Sequence, residues 1–149
     1  MENVLVREAG SEDARDVARL LCQLGYPAAP AAVAARIERH RESRTDLLLL
    51  VEAGGRVVAL ASLHVSMALE YEGNAGKLSA IVVDEAARGR GIGRVLVDAV
   101  EAEARRRGCV LLFLTTNERR RDAHAFYRAL GFEETGRRFA KRLSEPTEP

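Results

Sequence analysis

Residues 88–94 read Arg-Gly-Arg-Gly-Ile-Gly-Arg, between the apolar run Ile81-Val82-Val83 and a long amphipathic stretch. Glycine at a helix start costs about 1 kcal/mol per residue relative to alanine. A plain surface turn with arginines on it gives no reason to use glycine three times, whereas an anion site does. Without a Cβ the main chain can approach an oxyanion closely. The first N–H groups of the helix converge on the anion, and the helix dipole adds partial positive charge. Arg88, Arg90 and Arg94 bring neutralising charge. A dinucleotide site is excluded by spacing: GxGxxG counted from Gly89 meets Arg94 in its third place, and counted from Gly91 it meets Leu96. The acidic ribose partner about 20 positions on is also missing, since that region is Val110-Leu111-Leu112. A P-loop is excluded because no Gly-Lys-Ser/Thr follows. What remains is a strand, a glycine turn and a helix N-terminus suited to phosphate.

These residues need elements to hold them. Alternation predicts a strand at residues 3–8. Ser11 is a good N-cap for a helix at 12–24 with Val17, Leu20, Leu21 and Leu24 on one face. A second helix is expected at 30–40, with Pro30 in its first turn. Strands are expected at 46–53 and 56–67, joined by Gly54-Gly55, and residues 70–76 read as a reversal. The strand at 77–84 leads into the glycine turn. The helix at 91–107 carries Ile92, Val95, Leu96, Ala99 and Val100 as its buried stripe. Residues 109–116 read as a strand covered on both faces, 122–130 as a short helix ending at Gly131, and 132–143 as a last strand. The order β-α-α-β-β-β-α-β-α-β is an α/β class with a mixed sheet of about six strands and about four helices.

The chain has 149 residues, a net charge of +1 and 47% hydrophobic residues. That predicts one folded domain over 1–149, with 144–149 as a frayed tail. So small a net charge gives no field for nucleic acid. The clusters Arg105-Arg106-Arg107 and Arg119-Arg120-Arg121 have acidic neighbours and read as solvated surface. Cys22 and Cys109 form no metal or redox spacing and read as small buried hydrophobes. No metal site is expected. The first ten residues lack a signal-peptide core, and the longest apolar run, 109–114, is too short to span a membrane. These features lead us to expect a cytoplasmic protein.

The stretch from Val83 to Gly93, with Arg88-x-x-Gly91-x-Gly93, resembles the acetyl-CoA signature of the Gcn5-related N-acetyltransferases. Asp122-Ala123-His124-Ala125-Phe126-Tyr127-Arg128-Ala129-Leu130-Gly131-Phe132 is similar to the same superfamily's second motif. The element order and the spacing between the motifs agree as well. The runs 115–117, 121–124 and 138–141 look like aminoalkylphosphonate acetyltransferases and their aminoglycoside-modifying relatives. The resemblance implies the fold of that superfamily, with a mostly antiparallel sheet. It implies acetyl-CoA as co-substrate and direct transfer to a primary amine in a ternary complex. The strand before the loop would be bulged and the next strand splayed from it. Ile81, Val82 and Val83 would offer backbone groups to pantetheine, and Arg88 to Arg94 would hold the pyrophosphate. Asn117 would touch the cofactor. Tyr127 would bind there too and would protonate the departing thiolate; a phenol of pKa about 10 facing a thiolate whose thiol has pKa about 8.5 needs correct placement within hydrogen-bond reach. Relatives of this kind commonly dimerise, so a homodimer is expected.

The base is the point of departure. At pH 7 on the order of one alkylamine molecule in a thousand is neutral, so some group must take a proton. The glutamate many relatives carry just before the loop is replaced here, at the matching position, by Ala80. Candidates are His64, whose ordinary pKa suits a base, together with Glu70, Glu72 and a water ordered by Ser79. The acceptor is expected to be a small amine. A phosphonate would use Lys77 or the arginines 36, 39 and 41, whereas a polycationic aminoglycoside would use Glu70 and Glu72. Acetylation of peptide N-termini and a coenzyme A-binding regulatory domain without turnover are the competing readings.

Overall fold

The computed structural model describes residues 3–116 and 121–144. Its elements are β1 (Val4–Glu8), α1 (Ala14–Leu24), α2 (Pro30–Glu42), β2 (Asp46–Ala53), β3 (Arg56–Met67), β4 (Asn74–Val83), α3 (Ile92–Arg106), β5 (Cys109–Phe113) and α4 (Arg121–Ala129). One sheet runs β1-β2-β3-β4-β5. Its pairs are antiparallel except β4 with β5, which is parallel. A parallel neighbour needs a crossover, and α3 supplies it.

Strand alternation sends side chains to two cores. Leu47, Leu49 and Val51 of β2 join Ala59, Ala61 and Leu63 of β3 against Ile92, Leu96 and Val100 of α3. On the other face, Leu48, Leu50 and Leu60 meet Val17 and Leu20 of α1 and Val33 and Ile37 of α2. Both faces of β2 are therefore buried, which is why it reads as a continuous leucine run. Arg7 ties the edge: its guanidinium bonds Asp13 at 2.8 Å and Glu52 at 3.0 Å.

Several expectations are corrected. The N-terminal helix begins after a 3-10 turn at Ser11–Asp13. There Asp13, held by Arg7, accepts from the Gly10 N–H at 2.8 Å in place of a serine cap. In α3, Val97 is buried and Val95 exposed. Cys22 is exposed and Cys109 half-buried. The strand β5 ends at Phe113 and leaves Val110, Leu111 and Phe113 exposed, so it is not covered on both faces. Residues 132–143 form no strand, and the sheet has five strands among the described residues. Six charged side chains crowd that segment between Phe132 and Leu143, which leaves little apolar surface to bury; Phe139 and Leu143 are almost fully exposed.

Candidate active site

The glycine turn is fixed at its base. Asp84 is buried and accepts from the Ala86 N–H, from Gln23 at 3.3 Å and from Arg19. The Ala86 N–H, outweighing burial, together with Gln23 and Arg19, holds the Asp84 carboxyl below its usual range. The strand end is thus tied to α1. Arg88 then folds back, its Nε donating to the Val83 carbonyl at 3.2 Å. Gly89 and Gly91 have φ of +82° and +79°, a left-handed conformation that side chains resist. A Cβ on either would meet nothing within 4 Å, so the space beside them is open. Gly91 is the N-cap of α3 and has no side chain to cap it; the first-turn N–H groups are left for another acceptor. Arg90 and Arg94 are exposed beside it. Gly93 differs: its Cβ would lie 3.0 Å from Phe126 of α4.

The β4–β5 pairing ends short of this loop, leaving a fork where β4 runs on to Val83 without a β5 partner among the described residues. The β4–β5 register runs from Asn74↔Cys109 to Lys77↔Phe113 and stops. At the same level the β3–β4 register shifts between Ser62 and Leu63, leaving Ser79 as the extra residue between Leu78 and Ala80. The bulge re-aims β4 just past its last pair with β5. Val82 points to the α1/α2 core, and Ile81 and Val83 pack against the α3 core. About half the main-chain groups of these three residues face away from β3, into the fork. Tyr127 is buried, edge-on to Phe126 (centroids 5.3 Å apart) and to Phe132 (5.7 Å). Asn117 lies outside the described residues.

His64 pairs in register with Lys77, the last residue of β4 before the fork. Its Nδ1 is 3.0 Å from Asp46 Oδ1. Asp46 Oδ2 accepts from Thr45 at 2.8 Å and from Ser43 at 3.1 Å. Burial works against this carboxylate, but the Thr45, His64 and Ser43 hydrogen bonds outweigh it and keep its pKa low. A cavity of about 380 Å³ opens here, lined by Arg44, Thr45, His64, Ser66, Asn74 and Arg107 among others. Sequence reasoning singled out His64 and missed Asp46, Arg44 and Arg107. The pairing Asp46↔His64 is set by strand register, and Arg107 arrives from the end of α3, so no local signal marks them. Ser79 is exposed at the bulge, and Ala80 packs toward α1/α2. Glu70 and Glu72 sit exposed in the β3–β4 turn and do not line the cavity. Arg36, Arg39 and Arg41 are exposed on α2.

The sequence model of the Acetyltransferase (GNAT) family matches residues 14–132. An aminoalkylphosphonate N-acetyltransferase from Salmonella typhimurium is 35% identical over 93% of this chain and 90% of its own. Among solved structures, a transcriptional regulator from Bacillus halodurans superimposes with a TM-score of 0.87 at 25% identity, covering 95% of this chain and 100% of that one. An aminoglycoside N-acetyltransferase in complex with CoA superimposes at 0.84 with 21% identity, covering 95% of each.

Proposed function

The chain belongs to the acetyltransferase (GNAT) family, and from that membership we propose that it acetylates the primary amine of a small anionic molecule, an aminoalkylphosphonate first of all. It is an acyltransferase, with acetyl-CoA as co-substrate. The open glycine turn at an uncapped helix N-terminus suits the pyrophosphate, and the fork beside Ile81, Val82 and Val83 suits the pantetheine amides. Tyr127 is our acid for the thiolate and His64 our base.

The observation that carries the acceptor class is the charge of the cavity at His64. Two arginines and a histidine line it, and Lys77 stands next to His64 on the neighbouring strand. A phosphonate wants such a lining, and the 35% identical relative is named for that substrate class. A polycation would want carboxylates; Asp46 beside His64 is already engaged by His64, Thr45 and Ser43, and Glu70 and Glu72 lie elsewhere. The test is acetyl-CoA consumption with aminoethylphosphonate, kanamycin-like amines and peptide N-termini. Aminoethylphosphonate should turn over fastest, and Lys77→Ala and Arg44→Ala should raise its KM about tenfold or more, the loss of one charge-assisted contact. Preference for kanamycin-like amines or peptides would overturn the anionic acceptor.

The reading as a coenzyme A-binding regulator is favoured by Ala80 at the usual glutamate position; binding of acetyl-CoA with no turnover of any amine would establish it. The expected homodimer has a sheet edge to use: among the described residues β5 has one neighbouring strand and exposes Val110, Leu111 and Phe113.

A further inference from the structure

We propose that Asp46 is a positioning residue that fixes His64 with its proton on Nδ1 and its lone pair on Nε2, so that an Asp–His pair removes the amine proton where the usual glutamate is missing. The inference rests on the acetyltransferase reading and adds to it how the base is built. Asp46 starts β2 and His64 lies opposite it on β3. The carboxylate is itself held in place, with Thr45 and Ser43 hydroxyls on Oδ2 and the Ser43 Oγ accepting the Asp46 N–H at 2.9 Å. That leaves Oδ1 to face Nδ1 at 3.0 Å. A carboxylate on Nδ1 favours the tautomer protonated there, and the free Nε2 is then the basic atom. Both side chains keep contact with solvent, 44% exposed for His64 and 35% for Asp46, so an acceptor can reach the ring. The charged groups around it are Asp46 on β2, Lys77 on β4, and Arg44 and Arg107 across the cavity.

The acceptor ammonium gives one proton to Nε2, which releases it to solvent after turnover. The neutral nitrogen forms the N–C bond to the acetyl carbonyl carbon as the C–S bond breaks. Sulfur leaves with the bonding pair and takes a proton from Tyr127, and the second proton lost by nitrogen restores the phenol. The products are the amide, coenzyme A thiol and one proton.

Two measurements test the pair. Histidine ¹⁵N NMR of the protein without substrates should show His64 protonated on Nδ1, and Asp46→Ala should abolish that preference. Steady-state kinetics should show kcat about tenfold lower or worse in Asp46→Asn and about 10²-fold lower in His64→Gln, with the KM for acetyl-CoA unchanged. The acidic limb of the kcat–pH profile should shift in Asp46→Asn and vanish in His64→Gln. Wild-type His64 protonated on Nε2 overturns the proposal whatever the variants do, as does a wild-type kcat and pH profile in folded Asp46→Asn. Failure of the wild-type protein to acetylate any amine would instead defeat the acetyltransferase reading, and the NMR result would stand apart from it.

Discussion

Tyr127 is enclosed by Phe126 and Phe132, so its ring packs whatever its hydroxyl does. That makes Tyr127→Phe a clean substitution, since the aromatic contacts survive and only the hydroxyl goes. Turnover should fall about 10²–10⁴-fold, the usual contribution of a general acid, while acetyl-CoA affinity by calorimetry and the melting temperature change little. A variant with wild-type kcat would leave Tyr127 as a packing residue alone. At this scale the sequence singles out candidates where one residue type stands in one motif position, as for Tyr127 and Gly91. It was silent on Asp46, whose role depends on a partner 18 positions away.

The elements explain why glycines two positions apart do different work. Gly91 has a left-handed φ and open space beside it. Gly91→Val would strain the main chain by about 1–3 kcal/mol and put a branched side chain in the space proposed for the pyrophosphate. It should weaken acetyl-CoA binding by at least tenfold in a protein that still folds, and unchanged affinity by calorimetry would remove the loop from the cofactor site. Gly93 lies within the α3 helix, where alanine alone would gain up to about 1 kcal/mol. Its Cβ would press on the Phe126 ring at 3.0 and 3.2 Å, and overpacking of that kind costs about 1–3 kcal/mol. Gly93→Ala should therefore lower stability slightly and kcat more, by moving the helix that carries Tyr127. Phe126→Leu should restore part of both, read as a positive coupling in a double-mutant cycle.

For the whole molecule, three carboxylates set the acid limit. Asp13, Asp46 and Asp84 all have pKa values below the ordinary 3.8. Arg7 is the chief cause at Asp13, the Ala86 N–H at Asp84, and hydroxyl and imidazole hydrogen bonds against burial at Asp46. Because the folded values are depressed, the unfolded chain binds more protons once pH falls below about 4. Their stability is thus present above that pH and lost as pH drops through the folded values. The melting temperature should hold from pH 8 to about 5 and fall below about pH 4, with a shallower fall in Asp84→Asn. An unchanged slope in that variant would discount the tie between α1 and the glycine turn. The position of β5 at the sheet edge among the described residues bears on assembly: an exposed apolar edge strand invites pairing. Light scattering should give a dimer mass that Leu111→Lys reduces to the monomer, and a monomeric wild type would dismiss the expected association.

The sequence by itself determined the element order through β5 and α4, the glycine turn and the aromatic pair on the last helix. Those signals are local: period-two and period-3.6 patterns, glycine at helix ends, and two motifs read within about a dozen residues each. It overstated the last strand and the cover over β5, because an apolar run does not say which layers arrive to bury it. Only tertiary structure decided that Asp46 meets His64, that Arg44 and Arg107 share a cavity with it, and that Phe126 closes on Gly93. Each of these depends on strand register or on the docking of a helix end, quantities fixed by the sum of many packing contacts and carried by no single stretch of chain.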